Sequence, residues 1–285
     1  MAKSTAECGE DTGDASMDLQ LTGRHALVTG SSSGIGAGIA RMLAEEGCRV
    51  VVHGRDRDRA EQVAQEIGAA GFALGDLATD EGAERTYETA IAALGGPVEI
   101  LVNNAGGGTG KSTSQAFMEV TLDDWIATYQ SNTLAAMRMV ERTVPSMSEA
   151  GFGRIVQISS AVGVQPNNLG PNYSSAKAAL NNMTVSLAGA LKGKGITVNT
   201  VSPGVIITPG MLAWGRSLAR NLGWGDPTPE ELERRIATER LNLPAGRIGR
   251  IEDIAMMVCL LASPRSGYIT GANHRIDGGQ VRSVN

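Results

Sequence analysis

The chain has 285 residues, 42% hydrophobic, 4% aromatic and 19% charged, with a net charge of −5 at pH 7. That length buries a core without a disulfide or metal staple, and the three cysteines (Cys8, Cys48, Cys259) are too few and too scattered for a disulfide framework or a zinc site. There is no apolar run of about 18 residues and no basic-then-apolar leader, so a soluble protein of the reducing cytoplasm, with no membrane partner, is expected. The charge is uneven: residues 1–18 set Lys3 against Glu7, Glu10, Asp11, Asp14 and Asp18 and so carry −4 of the −5. This acidic stretch, 1–18, is expected to be disordered, and the near-neutral remainder has no basic block for nucleic acid. Glycine is in excess, at 37 residues against roughly 7% in average proteins. The glycines have no three-residue period, which excludes collagen and implies tight turns or close backbone approach.

From residue 24 onward short apolar runs alternate with amphipathic stretches. His25–Thr29 reads as a buried strand closed by Gly30, followed by a helix over Ile35–Glu46. A second strand, Arg49–His53, precedes a polar helix over Asp58–Ile67, and further strands are expected near Phe72–Gly75, Glu99–Asn103, Arg154–Ser159 and Thr197–Val201. Helices are expected over Asp80–Ala93, Leu122–Met147, Tyr173–Leu191 and Glu252–Leu261, with a last strand at His274–Ile276. Unbroken apolar strands alternating with helices mean a parallel sheet covered on both faces. The expected fold is α/β: a single Rossmann-type, doubly wound domain over residues 19–285, with about seven strands and helices on both faces.

Three features carry chemistry. The first strand-to-helix turn reads Thr29-Gly30-Ser31-Ser32-Ser33-Gly34-Ile35-Gly36. In that position Gly30 turns the chain, Gly34 lets backbone N–H groups approach a pyrophosphate at the helix N-terminus, and Gly36 packs the helix on the sheet. An ordinary glycine loop is the competing reading, and the placement between first strand and first helix favours a dinucleotide site. Tyr173 and Lys177, four residues apart, share a helix face, where an ammonium favours the phenolate of a nearby tyrosine; a surface Tyr–Lys pair is the alternative. Ser160 closes a predicted strand at the end where such sheets place their sites and can bond the oxygen that Tyr173 protonates.

This set resembles the classical short-chain dehydrogenase/reductase family, from about Leu21 to Gly279. Thr29-Gly30-x3-Gly34-x-Gly36 is similar to its cofactor motif, and Asn103-Asn104-Ala105-Gly106 to its fourth-strand motif. Pro203-Gly204 with Ile206 and Thr208 resembles its nicotinamide loop, and Asp76-Leu77 its adenine contact. Gly249-x2-Glu252-Asp253-Ile254-Ala255, Tyr268-Ile269-Thr270-Gly271 and Asp277-Gly278-Gly279 are also similar to the family pattern. The resemblance implies a tetrad of Asn132, Ser160, Tyr173 and Lys177. Tyr173 is then the acid in reduction and the base in oxidation, and Ser160 orients the substrate oxygen. Lys177 holds the nicotinamide ribose and lowers the tyrosine pKa, while Asn132 positions a water linking Lys177 to solvent. It also implies a carbonyl or alcohol substrate, no metal, and a homo-oligomer, tetramer or dimer.

Charge argues for NADP(H) over NAD(H). NAD-binding relatives end the second strand with an acid that repels a 2′-phosphate, whereas here Gly54 is followed by Arg55, a guanidinium fork suited to phosphate. Ser32 and Ser33 add hydroxyl donors, although many NADP-dependent relatives carry a basic residue where Ser33 stands. An NAD(H)-dependent dehydrogenase is the alternative. Ala105-Gly106-Gly107-Gly108-Thr109-Gly110-Lys111-Ser112 also matches a loosened phosphate-loop pattern. Its first residues belong to the Asn-Asn-Ala-Gly motif, however, and the nearby strands end Asn103-Asn104 and Ser159-Ser160, without a magnesium-holding aspartate. Residues 208–247 correspond to the family's substrate lid, with Met211, Leu212, Trp214, Leu218, Leu222 and Trp224 either walling an apolar pocket or packing on one another. A helix start is expected at Pro227-Thr228-Pro229-Glu230-Glu231. A 3-oxoacyl carrier-protein reductase is one candidate: Lys194 fits one of the basic positions used for the acidic carrier, and Gly151 occupies the other. A non-catalytic Rossmann binding protein is the reading from another class.

Overall fold

The computed structural model describes residues 17–107 and 115–283. Of the acidic stretch 1–18, only Met17 and Asp18 fall among them, and Asp18 is held in place, its carbonyl accepting from Arg265 Nη1 at 2.9 Å. Lys111 and Ser112 of the phosphate-loop-like run lie outside the described residues.

The apolar runs form seven strands: β1 (His25–Val28), β2 (Arg49–Gly54), β3 (Gly71–Leu74), β4 (Ile100–Asn103), β5 (Gly153–Ile158), β6 (Ile196–Pro203) and β7 (Asn273–Ile276). They make one sheet in the order β3-β2-β1-β4-β5-β6-β7, with every neighbouring pair parallel. Connecting helices are α1 (Gly34–Glu45), α2 (Arg57–Glu66), α3 (Asp80–Leu94), α4 (Leu122–Tyr129), α5 (Ala135–Ala150) and α6 (Pro171–Ala190), followed by α7 (Pro209–Asn221), α8 (Pro229–Arg235) and α9 (Ile251–Ala262).

Strand alternation explains the two-sided core. Ala26 and Val28 share one face with Val50, Val52, Ile100 and Val102, covered by Ile39 and Leu43 of α1 and Ile254 and Val258 of α9. Leu27, Val51, Leu101 and Ile155 point the other way, against Ala90 and Leu94 of α3 and Met139 and Met147 of α5. Each Val, Leu, Ile or Met among them contributes roughly 1.5–3 kcal/mol when fully buried. After β3 the chain crosses back over β1 to start β4. The loops leaving β1 and β4 therefore diverge and open a crevice at the carboxyl ends of the strands, where such sheets bind ligands.

Two elements depart from the sequence reading. The helix expected over Leu122–Met147 is broken by a π-helical turn, Gln130–Leu134, between α4 and α5; such turns concentrate at functional positions, and Asn132 sits in this one. The other departure is α7, a helix absent from the sequence reading, in which Gly210 and Gly215 lower the local helical propensity. Thr208 nevertheless caps it, Oγ1 accepting from Met211 N at 3.2 Å, and Gly215 lets it close on the segment after α8, since a Cβ there would come 2.9 Å from Ile236 Cδ1.

Residues 208–247 build a small core of their own from Met211, Ala219, Leu232, Ile236, Ala237 and Leu243, with Leu212, Leu218 and Trp224 packed against it. Trp214 and Leu222 remain about half exposed, at 46% and 48%. The Arg250 fork anchors this unit to the N-terminus of α9, donating to Glu233 of α8 at 2.7 and 2.9 Å. Among the described residues no helix is long and apolar enough to cross a membrane.

Candidate active site

At Gly30 the backbone takes φ +63°, which a side chain would strain. Close approach matters as much at Gly36, where a Cβ would overlap Gly30 O and Asn104 Nδ2. The turn is tied to the loop after β4 by Thr29 and Asn104. Thr29 Oγ1 accepts from the N–H groups of Asn104 and Ala105 at 3.0 and 2.9 Å. Asn104 Nδ2 donates back to the carbonyls of Thr29 and Gly30, at 3.0 and 2.9 Å. Ser33, the N-cap of α1, makes no side-chain capping bond, and the first turn holds no acidic residue. The free N–H groups and positive dipole end are thus available to an anion.

A cavity of about 260 Å³ lies beside this turn, and Gly30, Ser32, Ser33, Arg55, Asp76, Leu77, Ala105 and Gly106 all line it. A second, of about 210 Å³, adjoins it at Gly106 and Gly107 and gathers Ile35, Ser160, Tyr173, Lys177, Pro203 and Gly204. The elongated cleft, its glycine-lined floor and the uncapped helix fit a dinucleotide. Gly34 and Gly36 shape the turn without lining either cavity. Asn103 is buried below, donating to Ala136 O at 3.3 Å, Ile206 pairs with Gly249, and Thr208 caps α7.

The second cavity holds three reactive groups, brought together by helix geometry. Gly170 in the left-handed conformation and Pro171 at N1 start α6, and the four-residue spacing puts Tyr173 and Lys177 on one face. Ser160 opens a short 3₁₀ turn, Ala161–Gly163. At Gly163 a Cβ would come 2.9 Å from the Lys177 carbonyl carbon, so the turn rests directly on α6. This seat lets Ser160 hydrogen-bond the Tyr173 hydroxyl. Lys177 is buried and donates from Nζ to Ile158 O at 2.9 Å. Asn132, also buried, accepts from Gly107 N at 2.9 Å and donates to Gly107 O and Thr128 O at 3.1 and 2.9 Å, fixing the loop between the two cavities.

Burial dominates the electrostatics. It pushes the Tyr173 phenol above its usual value, partly offset by the Ser160 hydrogen bond, and it pulls the Lys177 ammonium down to about 8. Lys177 is not among the groups that shift the phenol. Nζ lies 5.7 Å from the centroid of the Tyr173 ring and is engaged by Ile158 O. The group can hold a proton beside a hydroxyl donor, next to a crevice shaped for a dinucleotide: this is the equipment of carbonyl reduction.

A family model described as short chain dehydrogenase matches residues 24–217. The chain belongs to the short-chain dehydrogenase family. As a short-chain dehydrogenase it is an oxidoreductase that moves a hydride between a nicotinamide cofactor and a carbonyl/alcohol pair. It is 36% identical to the uncharacterized oxidoreductase YvaG of Bacillus subtilis, over 94% of this chain and all of that protein. It is 34% identical to the 3-oxoacyl-(acyl-carrier-protein) reductase FabG of Vibrio harveyi, over 92% of this chain and 98% of the relative. Among solved structures, L-sorbose reductase from Gluconobacter frateurii, complexed with NADPH and L-sorbose, superposes with a TM-score of 0.84 at 31% identity, covering 94% of this chain and 100% of that one. A gluconate 5-dehydrogenase from Burkholderia cenocepacia, in complex with NADP and tartrate, gives 0.78 at 27% identity, covering 94% and 98%.

Two residues of this dehydrogenase were not singled out as site residues from the sequence. Asn104 was visible as part of its motif, but its role as a clamp depends on the turn across the crevice. His53 looked like one more residue of a buried strand. Its ring accepts from Gly30 N through Nδ1 at 2.9 Å, and Nε2 lies 3.1 Å from Gly75 O. Burial, opposed by the Gly75 bond, aided by the Arg55 charge and opposed again by Asp76, takes its pKa from 6.5 to about 4. The unfolded chain therefore takes up the proton first as pH falls, so this group's contribution is complete above pH 6.5 and is lost toward pH 4. The expected loss over that window reaches about 3 kcal/mol. Urea unfolding at several pH values should show this slope in the wild type and a shallower one in His53→Asn; equal slopes would contradict it.

Proposed function

We propose that this short-chain dehydrogenase is an NADP(H)-dependent carbonyl reductase, with Tyr173 as acid/base, Ser160 orienting the substrate oxygen, and Lys177 and Asn132 completing the tetrad. The observation that carries this reading is the convergence of Ser160, Tyr173 and Lys177 in a cavity adjoining the glycine turn. Bound there, the nicotinamide supplies the hydride in reduction and accepts it in oxidation. Ser160 donates a hydrogen bond to the substrate carbonyl oxygen, and Tyr173 gives that oxygen its proton; in the reverse direction Tyr173 takes the proton from the alcohol. Lys177 holds the nicotinamide ribose. Asn132 keeps Gly107, and with it the loop over the cavity, in place. Ser32, Ser33 and Arg55 receive the 2′-phosphate, and Asp76 and Leu77 border the adenine.

Residues 208–247 serve as the substrate lid, held at its base by the Arg250–Glu233 pair. Likeness to an L-sorbose reductase and a gluconate 5-dehydrogenase favours a small hydroxylated carbonyl substrate. The carrier-protein reading keeps Lys194 but has Gly151 where its second basic residue should stand. We place the enzyme in the cytoplasm as a homotetramer, with the exposed Leu122, Ile126 and Val185 of α4 and α6 as contact residues. The test is oxidation of NADPH and NADH across a panel of ketoses, keto-acids and an acetoacetyl thioester. Turnover of a ketose or keto-acid with NADPH is expected; exclusive use of the thioester would select the carrier-type reading, and no turnover at all would sink the enzyme reading.

A further inference from the structure

All four hydrogen-bonding atoms of His53 that belong to its backbone and ring are directed at the walls of the adenosine-half cavity. Its backbone N–H donates to Ser31 Oγ at 2.9 Å and its carbonyl accepts from Ser31 N at 2.8 Å. The ring spans from Gly30 to Gly75, two points on different strand ends. These contacts join three segments lining one cavity: the glycine turn after β1, the Gly54–Arg55 end of β2, and Gly75–Asp76 after β3. The partners dictate the protonation state. A backbone N–H can only donate, so Nδ1 must accept from Gly30; a carbonyl can only accept, so Nε2 must carry the proton toward Gly75. An imidazolium would set two N–H groups against each other at Gly30. The depressed pKa of the buried ring, about 4, agrees with a neutral side chain. The charged groups acting on it are Arg55 and Asp76, on the same cavity.

We propose that His53, as the neutral Nε2–H tautomer, is a positioning residue that holds the diphosphate turn at Gly30 and the adenine corner at Gly75–Asp76 in register with Arg55. It rests on the reading of this cavity as the adenosine half of a dinucleotide site. The ring touches no reacting atom; its effect is on the geometry into which the cofactor docks.

Fluorescence titration of the full chain with NADPH tests it. His53→Leu keeps the volume and removes both ring bonds, and it is expected to raise Kd by at least about tenfold, the cost of an unsatisfied buried donor. The loss should be larger in KM for NADPH than in kcat. His53→Asn, whose amide oxygen falls near the Nδ1 position, restores an acceptor for Gly30 and is expected to recover most of the affinity. A leucine variant within about twofold of wild type, or leucine and asparagine variants equally weakened, overturns the proposal. The chain has 3 histidines, so a long-range proton–nitrogen spectrum of the histidine-labelled wild type reads the tautomer directly: Nε2–H at pH 7 is expected, and Nδ1–H or a charged ring overturns the assignment. Wild type that binds neither NADPH nor NADH defeats the site reading and the proposal together. If wild type binds only NADH, the phosphate preference alone fails and the same variants are compared on NADH.

Discussion

Tyr173→Phe is expected to lower kcat by about 10²- to 10⁴-fold, the usual contribution of a positioned acid/base, while leaving NADPH bound. Phenylalanine keeps the ring, its packing in α6 and the Lys177 contact on the ring face, and removes only the hydroxyl that Ser160 bonds. The barrier therefore rises by about 3–5.5 kcal/mol without a comparable change in stability. The pH dependence has a definite sign. Burial keeps the phenol protonated beyond its ordinary range, so the proton needed for reduction is retained through neutral and mildly alkaline pH. Oxidation needs the phenolate, so its rate should climb as pH rises, and the climb should vanish in the phenylalanine variant. Stopped-flow NADPH oxidation and alcohol-dependent NADP reduction from pH 6 to 10 measure both arms; a Tyr173→Phe enzyme within about tenfold of wild type would remove Tyr173 from the acid/base role.

Most of the scaffold was legible because parallel strands buried on both faces leave unbroken apolar runs, and because each run here is ended by a glycine or polar turn. The seven strands, the glycine turn and the Tyr173–Lys177 helix face were all readable on those grounds. Contacts between segments distant in sequence were less accessible. His53 sits among valines with no local mark of function, and its role appears only when β1 and β3 flank β2 and bring Gly30 and Gly75 to its two ring nitrogens. Asn132 was reached through resemblance alone: nothing in the run around it announces a π turn, and the loop it grips at Gly107 is 25 residues away. In α7 local propensity and tertiary packing disagree, and the glycine that weakens the helix is the one that lets it close on the segment after α8. The tyrosine–lysine coupling shows a further limit. Spacing put the two side chains on one face correctly, yet the partner that engages the ammonium, the Ile158 carbonyl of β5, could not be read from it.

Arg55→Gln is expected to raise the KM for NADPH by about 10- to 100-fold, with little change for NADH. Arg55 is exposed on the rim of the first cavity and has no ion-pair partner among the described residues, so its guanidinium is free for a phosphate. Charge-assisted hydrogen bonds of this kind contribute about 1.5–3 kcal/mol, and each 1.4 kcal/mol is about a tenfold change in affinity. Exposure sets the lower end of that range, and added salt should shrink the wild-type advantage further. The position before it reinforces the preference sterically. At Gly54 a Cβ would stand 2.7 Å from both Cβ and Oγ of Ser32, so the acid that NAD-binding relatives carry there cannot enter without moving the turn. Glutamine preserves length and hydrogen-bonding capacity while removing the charge, which isolates the electrostatic part. Steady-state kinetics with both cofactors at two ionic strengths decide the matter. Equal losses for NADPH and NADH would mean that Arg55 supports the shared adenosine half, and no loss for either would leave the 2′-phosphate to the hydroxyls of Ser32 and Ser33.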